Sequence, residues 1–78
     1  MSVFEQVRGT LAASLGVTPD TIRTTTRQAD LPKWDSLAHI NLMVALESTF
    51  DLMLEVEDFA KLTSVAAILS YLQGRGIE

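Results

Sequence analysis

An all-α fold, with three substantial helices, one short helix and a long first connection, is predicted from three observations. Apolar residues recur at helical spacing in three separate stretches. Residues that favour helix starts precede those stretches. No run alternates apolar and polar side chains as a half-buried strand would. The chain has 78 residues, which is the size of one small domain, read here as residues 1–78. A hydrophobic fraction of 47% beside 21% charged residues suits a packed core rather than a disordered tail.

The first helix is expected to open at Ser2, whose hydroxyl can accept the Glu5 backbone N–H while the Glu5 side chain reaches back as a capping box. Val3, Val7, Leu11 and Leu15 then recur every fourth residue with Phe4 beside them, and Gly16 suits a left-handed end. Residues 17–34 read as a long loop. Thr18-Pro19 signals a turn or helix start, Thr24-Thr25-Thr26 is read as loop, and Pro32 keeps Leu31 out of the helical region. Asp35 is a good cap for a second helix running from Ser36 to about Phe50. A short helix over residues 56–62 should turn Phe59 and Leu62 inward. Thr63 or Ser64 caps a last helix carrying Val65, Ile68, Leu69 and Leu72. Gly74 is expected to end it, leaving Gly76-Ile77-Glu78 as a frayed tail.

Composition narrows the function. With no cysteine, disulfides, thiol nucleophiles and thiolate zinc sites are excluded, and a lone histidine, His39, cannot build a histidine-rich metal site. The net charge of −4 argues against nucleic acid and anionic membrane surfaces. The apolar run Leu42–Leu46 falls far short of the ~20 residues of a membrane span. The first residues lack the basic segment of a secretory signal, so a free-standing cytoplasmic protein is expected.

The second helix carries two apolar stripes on nearly opposite sides. Leu42, Leu46 and Phe50, with Met43, form one, and Leu37, Ile40 and Val44 form the other. So small a chain cannot cover both thoroughly. The stripe with the aromatic residue is assigned to the core and the other to contact with a partner. The competing possibility is that the short helix covers it. No Lys or Arg occurs from Trp34 to Ala60, whereas Asp35, Glu47, Asp51, Glu55, Glu57 and Asp58 all lie there, six of the ten acidic residues. A one-signed surface around an apolar stripe favours basic partners. Ser36, at the start of this helix, stands where free N–H groups tolerate an attached phosphate. As a nucleophile it would need a base held by a third group, and His39 falls nearer the core stripe, so no hydrolytic pair is assigned.

Trp34-Asp35-Ser36-Leu37 and the apolar spacing through Phe50 strongly resemble the second helix of acyl carrier proteins. Phe50-Asp51, Leu54, Glu57-Asp58 and the stretch from Lys61 to Val65 fit the same family, as do the first helix and the long loop. The resemblance covers essentially the whole chain. It implies a four-helix bundle with a short third helix, and a 4′-phosphopantetheine group from coenzyme A on Ser36, attached by a separate phosphopantetheinyl transferase. It implies a carrier that catalyses nothing itself and holds acyl groups as thioesters. Leu42, Met43, Leu46 and Phe50 would shelter the acyl chain. Asp35, Leu37, Ile40, Val44, Glu47, Glu57 and Asp58 would face partner enzymes such as an acyl or malonyl transferase or a ketosynthase. A monomer is expected, because a dimer would hide that face.

The sequence also departs from fatty-acid carriers. Ala38, Asn41, Ser48 and Thr49 stand where acids are frequent in that group, which points to a specialised carrier in a polyketide or related pathway. An aminoacyl or peptidyl carrier is the alternative, and an unmodified helical interaction module a further one. Trp34 is compatible with several carrier subgroups and also with simple packing of the loop. His39 is expected to be a structural neighbour of the arm or cavity.

Overall fold

The computed structural model describes residues 2–77. Four helices follow one another as α1 (Val3–Leu15), α2 (Ser36–Phe50), α3 (Val56–Lys61) and α4 (Val65–Gly74), with no strand among the described residues. α1 packs against α2 and α4, and α3 lies against α2. The expected all-α bundle with its short third helix is therefore the fold.

Each helix forms for a local reason. In α1 the Ser2 hydroxyl accepts the Glu5 N–H at 3.1 Å. The Glu5 carboxylate lies 3.5 Å from Arg8 instead of turning back, so only half of the expected capping box forms. Val7, Leu11 and Leu15 are buried along one face, and Gly16 closes the helix at φ +70°, a conformation open to glycine because it has no Cβ. In α2, Asp35 caps through Ala38 N–H at 2.9 Å, and Asp51 ends the helix in the left-handed region at φ 52°. Ser64, rather than Thr63, caps α4 by accepting the Ala67 N–H at 3.0 Å.

α4 ends at Gly74, as expected. The left-handed residue beyond it is Gly76 at φ +81°. Its amide reaches Gln73 O at 3.0 Å and the Ile77 amide reaches Leu72 O at 2.9 Å. Those crossed bonds satisfy orphan carbonyls at a helix end. Ile77 packs on the core, so Gly76 and Ile77 are not frayed. Glu78 lies outside the described residues.

The long loop is fixed at intervals. Pro19–Thr21 and Gln28–Asp30 form short 3₁₀ turns, and Ile22 is fully buried between them. Burying such a side chain contributes about 1.5–3 kcal/mol. Arg8 Nε donates to Ile22 O at 3.1 Å, and Lys33 Nζ to Gly16 O at 3.3 Å. An isolated antiparallel bridge joins Arg27 to Ser64 through Gln28 N–H to Thr63 O and Val65 N–H to Thr26 O. Trp34 then buries its ring immediately before Asp35. The loop thus delivers Ser36 to the top of α2 from a fixed position.

Candidate functional site

Ser36 is the first residue of α2 and is exposed to solvent. The Asp35 side chain satisfies the Ala38 amide, and the first main-chain bond of the helix runs from His39 N–H to Asp35 O at 2.8 Å. The Ser36 and Leu37 amides therefore belong to the unpaired N–H groups of a helix start, where the dipole favours an anion. The Asp35 carboxylate, one residue away, opposes that attraction in part.

Beside Ser36 lies an open groove of ≈ 450 Å³ between α2 and α3, bordered by Gln28, His39, Ile40, Val56, Phe59, Ala60 and Thr63. Most of its lining is apolar. His39 is buried, and both of its ring nitrogens are engaged. Trp34 Nε1 donates to Nδ1 at 2.9 Å, and Nε2 lies 2.6 Å from Phe59 O. No nitrogen is left to accept a proton from Ser36, so the site holds no activated serine. His39 is a structural neighbour of the groove, and Trp34 packs the loop onto the bundle.

The two stripes of α2 separate as their spacing predicted. Leu42, Met43 and Leu46 are buried and Phe50 is half-buried against the core. Leu37 is 70%, Ile40 50% and Val44 56% exposed, so α3 does not cover the second stripe. Asp35 and Glu57 are exposed. Glu47 and Asp58 also have internal duties: Glu47 Oε2 accepts the Leu54 N–H at 2.8 Å, and Asp58 Oδ2 accepts the Glu55 N–H at 2.9 Å. Sequence reasoning missed two apolar residues, Met53 at 80% and Val56 at 86% exposure. A signal existed: in the connection over residues 52–55, half-buried Leu52 and Leu54 alternate with exposed Met53 and Glu55. The groove residues Gln28 and Thr63 were also missed. They come together through the Arg27–Ser64 bridge, which no periodicity marks.

The family model described as "Phosphopantetheine attachment site" matches residues 5–72. The chain belongs to the acyl carrier protein family. It is 34% identical over 76 residues to the acyl carrier protein of Bdellovibrio bacteriovorus, covering 97% of each chain. It is 30% identical over 73 residues to that of Campylobacter hominis, covering 94% of this chain and 92% of the relative. For Campylobacter fetus the figures are 28% over 74 residues, 95% and 96%. Phosphopantetheine is the cofactor of this carrier family, whose members carry rather than catalyse. The site suits that cofactor: an exposed hydroxyl, unpaired amides for a phosphate and an adjoining apolar groove stand together at one helix end. No helix among the described residues is long and apolar enough to cross a membrane.

Proposed function

We propose that Ser36 Oγ is the attachment point for 4′-phosphopantetheine, transferred from coenzyme A by a phosphopantetheinyl transferase. The observation that carries the proposal is the exposed Ser36 at the start of α2, at the mouth of the α2–α3 groove. When bound, the group supplies a thiol on a flexible tether that holds acyl groups as thioesters. The chain's own part is to fix the tether's root. Asp35 and the buried Trp34 hold the start of α2, and the unpaired amides face the position of the phosphate. Tethering raises the local concentration of cargo at any enzyme docked on α2.

Asp35, Leu37, Ile40, Val44, Glu47, Glu57 and Asp58 are the proposed partner face, with Val56 added by its exposure. Acyl or malonyl transferases, ketosynthases or other acyl-processing enzymes dock there in turn, with the protein acting as a cytoplasmic monomer. Leu42, Met43, Leu46 and Phe50 are the proposed shelter for the acyl chain. They are packed core, so sheltering requires the helices to part. The pathway is fatty-acid, polyketide or related specialised biosynthesis.

Incubation of the apo protein with coenzyme A, magnesium and a broad-specificity phosphopantetheinyl transferase tests the proposal by intact mass. The expected result is a gain of one phosphopantetheine, abolished in Ser36→Ala. No gain with several transferases would overturn it.

One observation favours an aminoacyl or peptidyl cargo instead. Within α2 the only acid is Glu47, and its carboxylate is turned to the Leu54 amide. Loading assays that compare an adenylating enzyme and amino acids with acyl or malonyl donors separate the two cargoes.

A further inference from the structure

α3 is held to the bundle by little. It has six residues, none of them fully buried. Helices that short do not persist on their own. Its start is capped internally by Asp58. At its other end the Leu62 amide returns to Asp58 O at 3.0 Å, and the Phe59 carbonyl receives the His39 ring instead. A side chain of α2 thus caps the C-terminus of α3, where helix carbonyls lack main-chain donors.

The chemistry of the three groups fixes the state of that ring. An indole N–H only donates and a carbonyl only accepts. His39 stands between one of each, 2.9 Å from Trp34 Nε1 and 2.6 Å from Phe59 O. It is therefore neutral, with its proton on Nε2. Trp34, by donating to Nδ1, holds the proton on the nitrogen that caps α3. A loop residue, a helix residue and the end of a second helix form one relay, and His39 and Phe59 both border the groove beside Ser36.

We propose that Trp34, His39 and the Phe59 carbonyl form a clasp that holds α3 over this groove and sets how readily α3 opens. His39 is a positioning residue: it touches neither the attachment oxygen nor cargo, and acts by fixing α3. The clasp rests on the carrier reading only in what it is for, since cargo passing between α2 and α3 must release it. Its existence is measured on the unmodified protein. Failure of Ser36 to accept phosphopantetheine would leave that measurement intact.

The test combines ¹⁵N spectra of the His39 ring with amide hydrogen exchange. The wild type should show the Nε2–H tautomer alone. His39→Leu keeps apolar bulk and removes both bonds. It should accelerate exchange of the α3 amides about ten-fold, while the buried amides of α1 and α4 keep their wild-type rates. Trp34→Phe keeps an aromatic ring and removes only the donor. Its His39 ring keeps the Phe59 acceptor and with it the Nε2–H, but the Nδ1 chemical shift should move as the indole donor is lost, and its α3 amides should exchange faster than wild type by a smaller factor. A merely packing role for Trp34 would leave the Nδ1 shift unmoved. If His39→Leu does not fold, Trp34→Phe decides alone. An Nδ1–H ring in the wild type, an unmoved Nδ1 shift in Trp34→Phe, or equal acceleration across all helices would overturn the clasp.

Discussion

Asp35 has two electrostatic duties of opposite sign. As the cap of α2 it accepts the Ala38 N–H at 2.9 Å, and its charge suits the positive end of the helix. As the neighbour of Ser36 it repels an attached phosphodiester while attracting basic enzymes. Substitution separates these duties. Asp35→Ala should lower stability by about 1 kcal/mol through the lost cap, and Asp35→Asn, which keeps an acceptor, should cost less than half as much. Urea denaturation measures both. Asp35→Asn should also raise KM for the transferase, because the cap survives and the charge does not. Equal stability losses in the two variants would show that charge rather than the hydrogen bond holds the helix start. Residue-level legibility follows the range of the interaction involved. Asp35 as the cap and Ser36 as the first helical residue were readable because a cap acts over three residues. His39 was readable as a core-side residue from its place on the wheel. Its partner at Phe59, 20 residues away, was not, because that contact depends on where α3 comes to rest.

Among the elements, the 3₁₀ turn Gln28–Asp30 shows how a loop without apolar periodicity is held. Asp30 accepts the Arg27 backbone N–H at 3.0 Å, and its other oxygen lies 3.4 Å from the Arg27 guanidinium. The backbone bond, then the side-chain bond, draw its carboxyl below the ordinary value of 3.8. A depressed folded pKa gives stability that is fully present above the unfolded value and lost as pH falls through the folded one. The Asp30 carboxyl should therefore titrate with a midpoint below 3.8 in ¹³C spectra. The stability difference between wild type and Asp30→Ala should shrink on acidification through that midpoint. A midpoint at or above the ordinary value would mean that the turn is open in solution. Solvent exposure keeps the effect small. Arg27, Asp30 and the neighbouring bridge to Ser64 were illegible in the sequence because each is a single hydrogen-bonded contact with no repeat. The helices were legible because each repeats its apolar face. Gly74 does end α4, but the left-handed turn that follows lies at Gly76 and brings Ile77 back onto the core, a return that the glycines alone did not reveal.

Across the whole molecule, charge is divided along the chain. From Trp34 to Ala60 there is no Lys or Arg, and this acidic stretch includes all of α2 and most of α3. Arg8, Arg23, Arg27 and Lys33 lie in α1 and the first loop. The acidic stretch also contains the exposed apolar residues Leu37, Ile40, Val44, Met53 and Val56. Charge and apolar contact act at different stages of docking. Long-range attraction sets the rate of encounter, whereas desolvated apolar contact sets the lifetime of the complex. Raising ionic strength from about 0.1 M to about 1 M shortens the screening length from about 10 Å to about 3 Å, so association with a basic transferase should slow while dissociation changes little. Ile40→Asp adds an acid to the same surface, so encounter should be preserved and the complex should dissociate faster. In modification kinetics KM should rise while kcat stays near wild type, because Ser36 itself is untouched. The variant should keep its fold, since Ile40 is half exposed and surface changes of this kind are usually within about 0.5 kcal/mol. Stopped-flow association at two salt concentrations, for wild type and Ile40→Asp, separates the terms. If Ile40→Asp left dissociation unchanged, the apolar stripe would be a bystander and the acids alone would define the docking face.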